Sequence, residues 1–157
     1  MANFWYNTGK LRMWAGAAGE VDLIADIIKV IALQSDTGED TDHEFIGDVI
    51  GAGAVEVTST GYVGGFGGAG RKVLGSKALA VDQVNNRAEF DCADVTWAAI
   101  SQAGAEQWVA LLMVKEITND NASPVLAHVD TATGFPLTPN GSDITLTIDA
   151  EGLLHLT

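Results

Sequence analysis

Apolar and polar positions first fall into register at Phe4, Leu11 and Trp14. This near-helical spacing predicts a short helix within residues 3–15, weakened by Gly9 and stopped by Gly16 and Gly19. Residues 21–34 carry two patterns at once. Asp22, Asp26 and Lys29 recur at helical spacing, whereas Ile27-Ile-Lys-Val-Ile-Ala-Leu33 is dense in β-branched side chains. The second pattern predicts a buried strand over residues 26–34. Phe45–Ile50 has the length of one helical turn. Val55–Tyr62 largely alternates, as a half-buried strand does. Gly64–Gly70 is a glycine loop, and Lys72–Val81 is a strand pattern broken at Gly75. Arg87–Cys92 alternates with Ala88, Phe90 and Cys92 on one face, and Asp94–Trp97 continues it past a bend. Trp108–Val114 is an apolar run of strand length. Val125–Val129 follows a turn rich in Asn, Asp and Pro124. Ile144–Ile148 alternates without a break after the Asn140-Gly141 turn, and Leu153–Leu156 is the last apolar stretch. Short strand signals separated by Gly, Asn and Asp turns predict a mainly β chain. The expected architecture is a single antiparallel β-sandwich or barrel-like domain over residues 1–157, with one or two short helices near the N-terminus. Residues 1–17 form an aromatic arm or short helix.

Composition narrows the function. At 157 residues and 16.4 kDa the chain buries a core without disulfide staples. Its one cysteine, Cys92, excludes an internal disulfide and zinc sites built from several thiolates, and its alternation with Phe90 predicts a core position. Eight Lys+Arg against 21 Asp+Glu give a net charge of −13. Phosphate backbones and anionic membranes repel such a chain, so neither nucleic acid nor membrane is an expected partner. A basic surface or a cation is. No basic start is followed by an apolar core, and Asp22, Asp26 and Lys29 interrupt the longest apolar stretch. The sequence therefore reads as a soluble protein made in a cytoplasm.

Candidate chemistry is sparse. Gly65-x-Gly67-x-x-Gly70 matches the dinucleotide fingerprint, but the preceding strand alternates and no helical pattern follows, so a turn-forming loop is expected. Asp40-x-Asp42-x-Glu44 imitates the start of a calcium loop. Phe45 stands at the position that requires Gly, and Gly51 at the position that requires a bidentate Glu. Asp40, Asp42 and Glu44 remain as an irregular cation site or, alternatively, as part of a solvated, mutually repelling loop. His43, His128 and His155 lack metal spacing. A triad of His128, Asp130 and one of the serines is the remaining catalytic alternative, but no Gly-x-Ser-x-Gly marks a nucleophile, so neither an enzyme nor a cofactor is expected. Trp97 and Trp108 lie in strand runs and read as core. Phe4, Trp5 and Tyr6 are consecutive and cannot share one face of a strand or helix. They predict either a partner contact or packing within the chain.

Three segments resemble a family of small structural proteins of tailed bacteriophages: Thr60-Gly-Tyr-Val-Gly-Gly65, Asn85–Trp97 and Asn140–Leu154. Asn3–Ala15 and Asp26–Leu33 are similar to it as well. The resemblance runs through most of the chain and lies in phrases and their order, not in a catalytic motif. It implies a virion protein. Within that class it implies a capsid cement or decoration protein on the capsid exterior, binding and stabilising the outer surface of the major capsid protein lattice, with other copies of itself as a homo-oligomer. A tail, neck or fibre structural protein, or a glycan- or receptor-binding module, is the alternative. The contact residues expected on this reading are Asn3, Phe4, Trp5, Tyr6, Trp14, Tyr62 and Phe66. Two departures from the family phrases are Cys92, where a small or acidic residue is expected, and the strong acidity of Asp40–Asp48.

Overall fold

A strand buried on both faces shows an unbroken apolar run, and three such runs build the middle of the molecule. The computed structural model describes residues 3–14, 20–36 and 40–156; the expected helix stops Gly16 and Gly19 lie outside them. In chain order the elements are β1 (Phe4–Trp5), α1 (Asn7–Trp14), β2 (Ile28–Ser35), α2 (Ile46–Gly51), β3 (Val55–Glu56), β4 (Lys72–Val73) and β5 (Ala78–Asp82). They continue as β6 (Arg87–Asp91), β7 (Val95–Trp97), β8 (Ala110–Lys115), β9 (Val125–Val129), β10 (Ile144–Leu146) and β11 (Leu154–Leu156). The chain is mainly β, its sheets are antiparallel, and none closes into a barrel, in agreement with a sandwich-like fold.

The largest sheet has the order β1-β9-β8-β2-β3, with β4 also on β2. β2 pairs with the whole of β8, from Ile28 opposite Lys115 to Leu33 opposite Ala110. The other edge of β2 is shared. β4 pairs Lys29 and Val30, and β3 pairs Leu33 and Ser35, leaving a gap at Ile31 and Ala32. Within that gap the Ala32 N–H donates to the Tyr62 hydroxyl at 3.2 Å, and the Ala32 carbonyl accepts from the Val57 N–H at 3.0 Å. The expected long strand over Val55–Tyr62 is therefore only two residues of ladder. Its C-terminal part leaves the sheet and returns a side chain to it.

Alternation along β2 and β8 sorts the core into two clusters. Val30, Ala32, Leu111 and Met113 face a second β layer that carries Phe90, Cys92, Val95, Trp97 and Leu154. Ile31, Leu33, Leu112 and Val114 face Ile46 and Val49 of α2. The second layer consists of the β11-β6-β5 sheet and the β10-β7 pair. Trp97 and Trp108 meet edge to face at 5.2 Å, and Tyr62 meets Trp108 at 5.7 Å. Their indole N–H groups donate to Gly70 O and Ser59 Oγ, so the core tryptophans leave no buried donor unmet. Cys92 is buried as expected. Burial, then the fields of Asp91 and Asp94, push its thiol up to about 11. Ala88, expected on the same inward face, is exposed instead, in an open groove that Trp14, Leu79 and Val81 also line.

Candidate interaction surface

The aromatic triplet is resolved by pleating. Phe4 and Tyr6 turn to the face that holds α2, and Trp5 turns to the opposite core. Phe4 stacks on His128 at 4.9 Å and meets Tyr6 edge to face at 5.1 Å. The Trp5 indole N–H donates to His155 O at 2.9 Å. The Asn3 side-chain oxygen accepts from the N–H groups of Asp130 and Thr131, extending the pairing of β1 with β9 by one side chain. Tyr6 is 2% exposed and Tyr62 is 6% exposed. For these two the expected partner contact gives way to core roles. Tyr6 completes the arm, and Tyr62 fills the β2 gap and donates to Glu56 Oε1 at 2.9 Å. Of the expected contact residues, Trp14 and Phe66 are open to solvent, at 74% and 46%.

Trp14 does not stand alone. It ends α1 beside a groove shared with Met13, Leu23, Leu79, Val81 and Ala88. Leu79 is 60% exposed and Val81 is 75% exposed, one pleat apart on β5, which lies at the edge of its sheet. Soluble chains ordinarily blunt such an edge with charge, proline or a bulge. Here the strand reads Ala-Leu-Ala-Val, with Asp82 only at its end. The groove is bordered by Glu20 and Asp22. Lys77 and Lys115 lie close enough to Asp22 to favour its charged form, and most cations of the chain are held by its own carboxylates. Arg12 pairs with Glu44, Lys29 with Glu116, Lys115 with Asp26, and Arg87 with Asp82, Glu89 and Glu151.

The glycine loop serves the same inward electrostatics. The Gly65 N–H donates to Glu56 Oε2 and the Gly67 N–H to Glu116 Oε1, so carboxylates take the donors that a phosphate would need. Arg71, buried at its guanidinium, bridges Glu56, Glu116 and Asp120 and holds the loop to the end of β8. A side chain at Gly70 would strike the Tyr62 ring at 2.7 Å, which explains a glycine there without a ligand. The acidic segment is likewise engaged rather than merely solvated. Asp40 Oδ1 accepts from the Asp42 N–H, Asp42 Oδ1 accepts from the Asn7 amide, and Asp48 Oδ2 caps α2 at Phe45. Asp40, Asp42 and Glu44 do not converge as cation ligands; Glu39 lies outside the described residues. Among the described residues two other sets converge: Asp82, Glu89 and Glu151, which already surround Arg87, and Asp36, His128 and Asp130.

Sequence reasoning missed the β5 surface, although Ala78-Leu-Ala-Val81 without an inward-outward alternation was the available signal. It joined His128 to Asp130 only as members of a triad with a serine and missed Asp36 beside them, although the His128-x-Asp130 spacing places both side chains on one face of a strand. Among the described residues no helix is long and apolar enough to cross a membrane. No family model, curated protein or solved structure matches the chain.

Proposed function

We propose that this chain is a non-enzymatic structural protein of a bacteriophage virion that binds and stabilises the outer surface of the major capsid protein lattice. The resemblance of its phrases to small phage structural proteins supports this reading. The observation that carries it is the Trp14–Leu79–Val81 surface, a large aromatic anchor beside an unblunted apolar strand edge. Contiguous exposed apolar area marks a docking surface, and an open edge accepts a partner strand through main-chain hydrogen bonds. Charge selects the occupant. The net charge is −13 and Glu20 and Asp22 border the groove, so the complementary partner is an apolar patch ringed by Lys and Arg. An acidic chain is repelled by packaged DNA, which favours the outside of the particle.

The test is stoichiometry. Quantitative mass spectrometry of purified virions is expected to count this chain at a copy number comparable to the major capsid protein. A count matching a single connector or tail ring overturns the capsid reading in favour of a tail or neck component.

A further inference from the structure

We infer that Asp36, His128 and Asp130 form a binding site for a divalent transition-metal ion, Zn²⁺ or Mn²⁺. The site clamps the end of β2 to β9 beneath the N-terminal strand. This inference does not depend on the virion reading.

Three segments meet there. Asp36 follows β2 directly, His128 lies in β9 opposite Phe4, and Asp130 follows β9 on the same face as His128. One ligand atom from each side chain lies within 4.8 Å of the other two, and His128 Nε2 is 3.2 Å from Asp36 Oδ2. Donors bound to one such ion at about 2.1 Å are at most about 4.2 Å apart. A small side-chain rotation therefore brings the set onto a common centre.

Burial is the independent observation. His128 is 1% exposed, and neither ring nitrogen makes a hydrogen bond. Both carboxylate oxygens of Asp130 are also sealed from solvent and make none. Native folds rarely gather such buried polar atoms without hydrogen bonds; a bound ion takes one ring nitrogen of His128 together with the Asp130 carboxylate, beside the Asp36 oxygen that lies 3.2 Å from Nε2. Elsewhere the chain meets its buried polar groups with care, as at Trp97, Trp108 and Arg71.

Electrostatics point the same way. Two carboxylates face one imidazole, and the local field is negative. Burial first, then Asp36 and Asp40, hold the Tyr6 phenol well above its ordinary value. Among the described residues no Lys or Arg lies at ion-pair distance from Asp130. The donor set selects the ion. One imidazole with two carboxylates suits Zn²⁺ or Mn²⁺, whereas Ca²⁺ takes oxygen ligands and Mg²⁺ keeps most of its water. The Phe4 ring stacked on His128 fixes the imidazole plane and shields one side of it.

The experiment uses the full chain, stripped with chelator and titrated with ZnCl₂ and MnCl₂ by calorimetry. One ion per chain is expected to bind. Asp130→Asn, which preserves shape, is expected to weaken binding by about tenfold or more, since even loss of an outer-shell partner costs about 10–100-fold. Glu151→Gln in the other cluster is expected to leave binding unchanged. Wild-type protein gives a second readout free of folding artefacts: Zn²⁺ is expected to shift the ring nitrogen resonances of His128. No binding by either ion, equal affinity in Asp130→Asn, or shifts at His43 or His155 in place of His128 would each overturn the inference.

Discussion

The N–H of Ala32 sits where neither β3 nor β4 reaches, and Ala32 is fully buried. The Tyr62 hydroxyl accepts from it, from 30 residues away in sequence, and donates its own hydrogen bond to Glu56. Burial, and next the field of Glu56, keep that phenol protonated far beyond the ordinary range, so it remains a donor at any practical pH. Tyr62→Phe retains the ring against Trp108 but strands the amide. The expected loss is about 1–3 kcal/mol, read as a lower urea midpoint with an unchanged far-ultraviolet spectrum. A single sequence makes Tyr62 an aromatic in a glycine-rich turn and therefore a contact candidate. Its partner is an amide set by tertiary pairing, which leaves no trace in local pattern. Gly9 shows the same blindness. It reads as a flaw in a helix, yet a Cβ there would come within 2.9 Å of the Leu126 backbone, so the glycine is what lets α1 lie against β9.

Elements buried on both faces were the most legible. β2, β8 and β9 announce themselves because every position in the run must be apolar, whichever way it points. The choice of strand over helix for residues 26–34 follows from the same physics: β-branched side chains suit a pleated, enclosed surface better than a helix. The short strands β3 and β4 were legible as strand pattern but not in their length, since each is only as long as the part of β2 that it covers. β5 was seen as a strand, but its exposure was not, because alternation fails equally when both faces are buried and when both are open. The two cases separate by experiment. Val81→Lys places a charge on an open edge. It is expected to leave stability within about 0.5 kcal/mol of wild type, as surface changes do, while abolishing attachment to purified capsids. Unchanged attachment would move the docking surface away from β5.

Across the whole molecule, acid is the stress to which this fold is tuned least. For Glu116 burial works upward, but hydrogen bonds from Lys29, the Gly67 amide and Arg71 outweigh it and hold the carboxyl below its ordinary range. For Glu106 burial also works upward, and Ser59, Thr58 and the Ala103 amide outweigh it. Folded values below unfolded ones mean stability that is fully present above the unfolded value, about 4.3, and lost as pH falls through the folded values. Thermal midpoints are expected to hold steady from neutral pH down to about 5 and then fall steeply below about 4.3. A midpoint that holds below that range would show that these carboxylates contribute nothing to stability.

The inward-turned cations have a colloidal side. Because Arg12, Lys29, Arg71, Arg87 and Lys115 are bound to their own carboxylates, mutual repulsion between copies rests on the remaining acids alone, and it vanishes near the isoelectric point of about 4.3. At that pH the Glu116 and Glu106 carboxyls of the folded chain, held lower, are still ionised, and the stability they contribute only begins to decline. Mild acid therefore removes suspension before it removes folding, and the uncovered edge at Leu79 and Val81 supplies the first adhesive contact. Solutions of the free protein will flocculate rather than unfold reversibly, and turbidity will rise before the core is exposed.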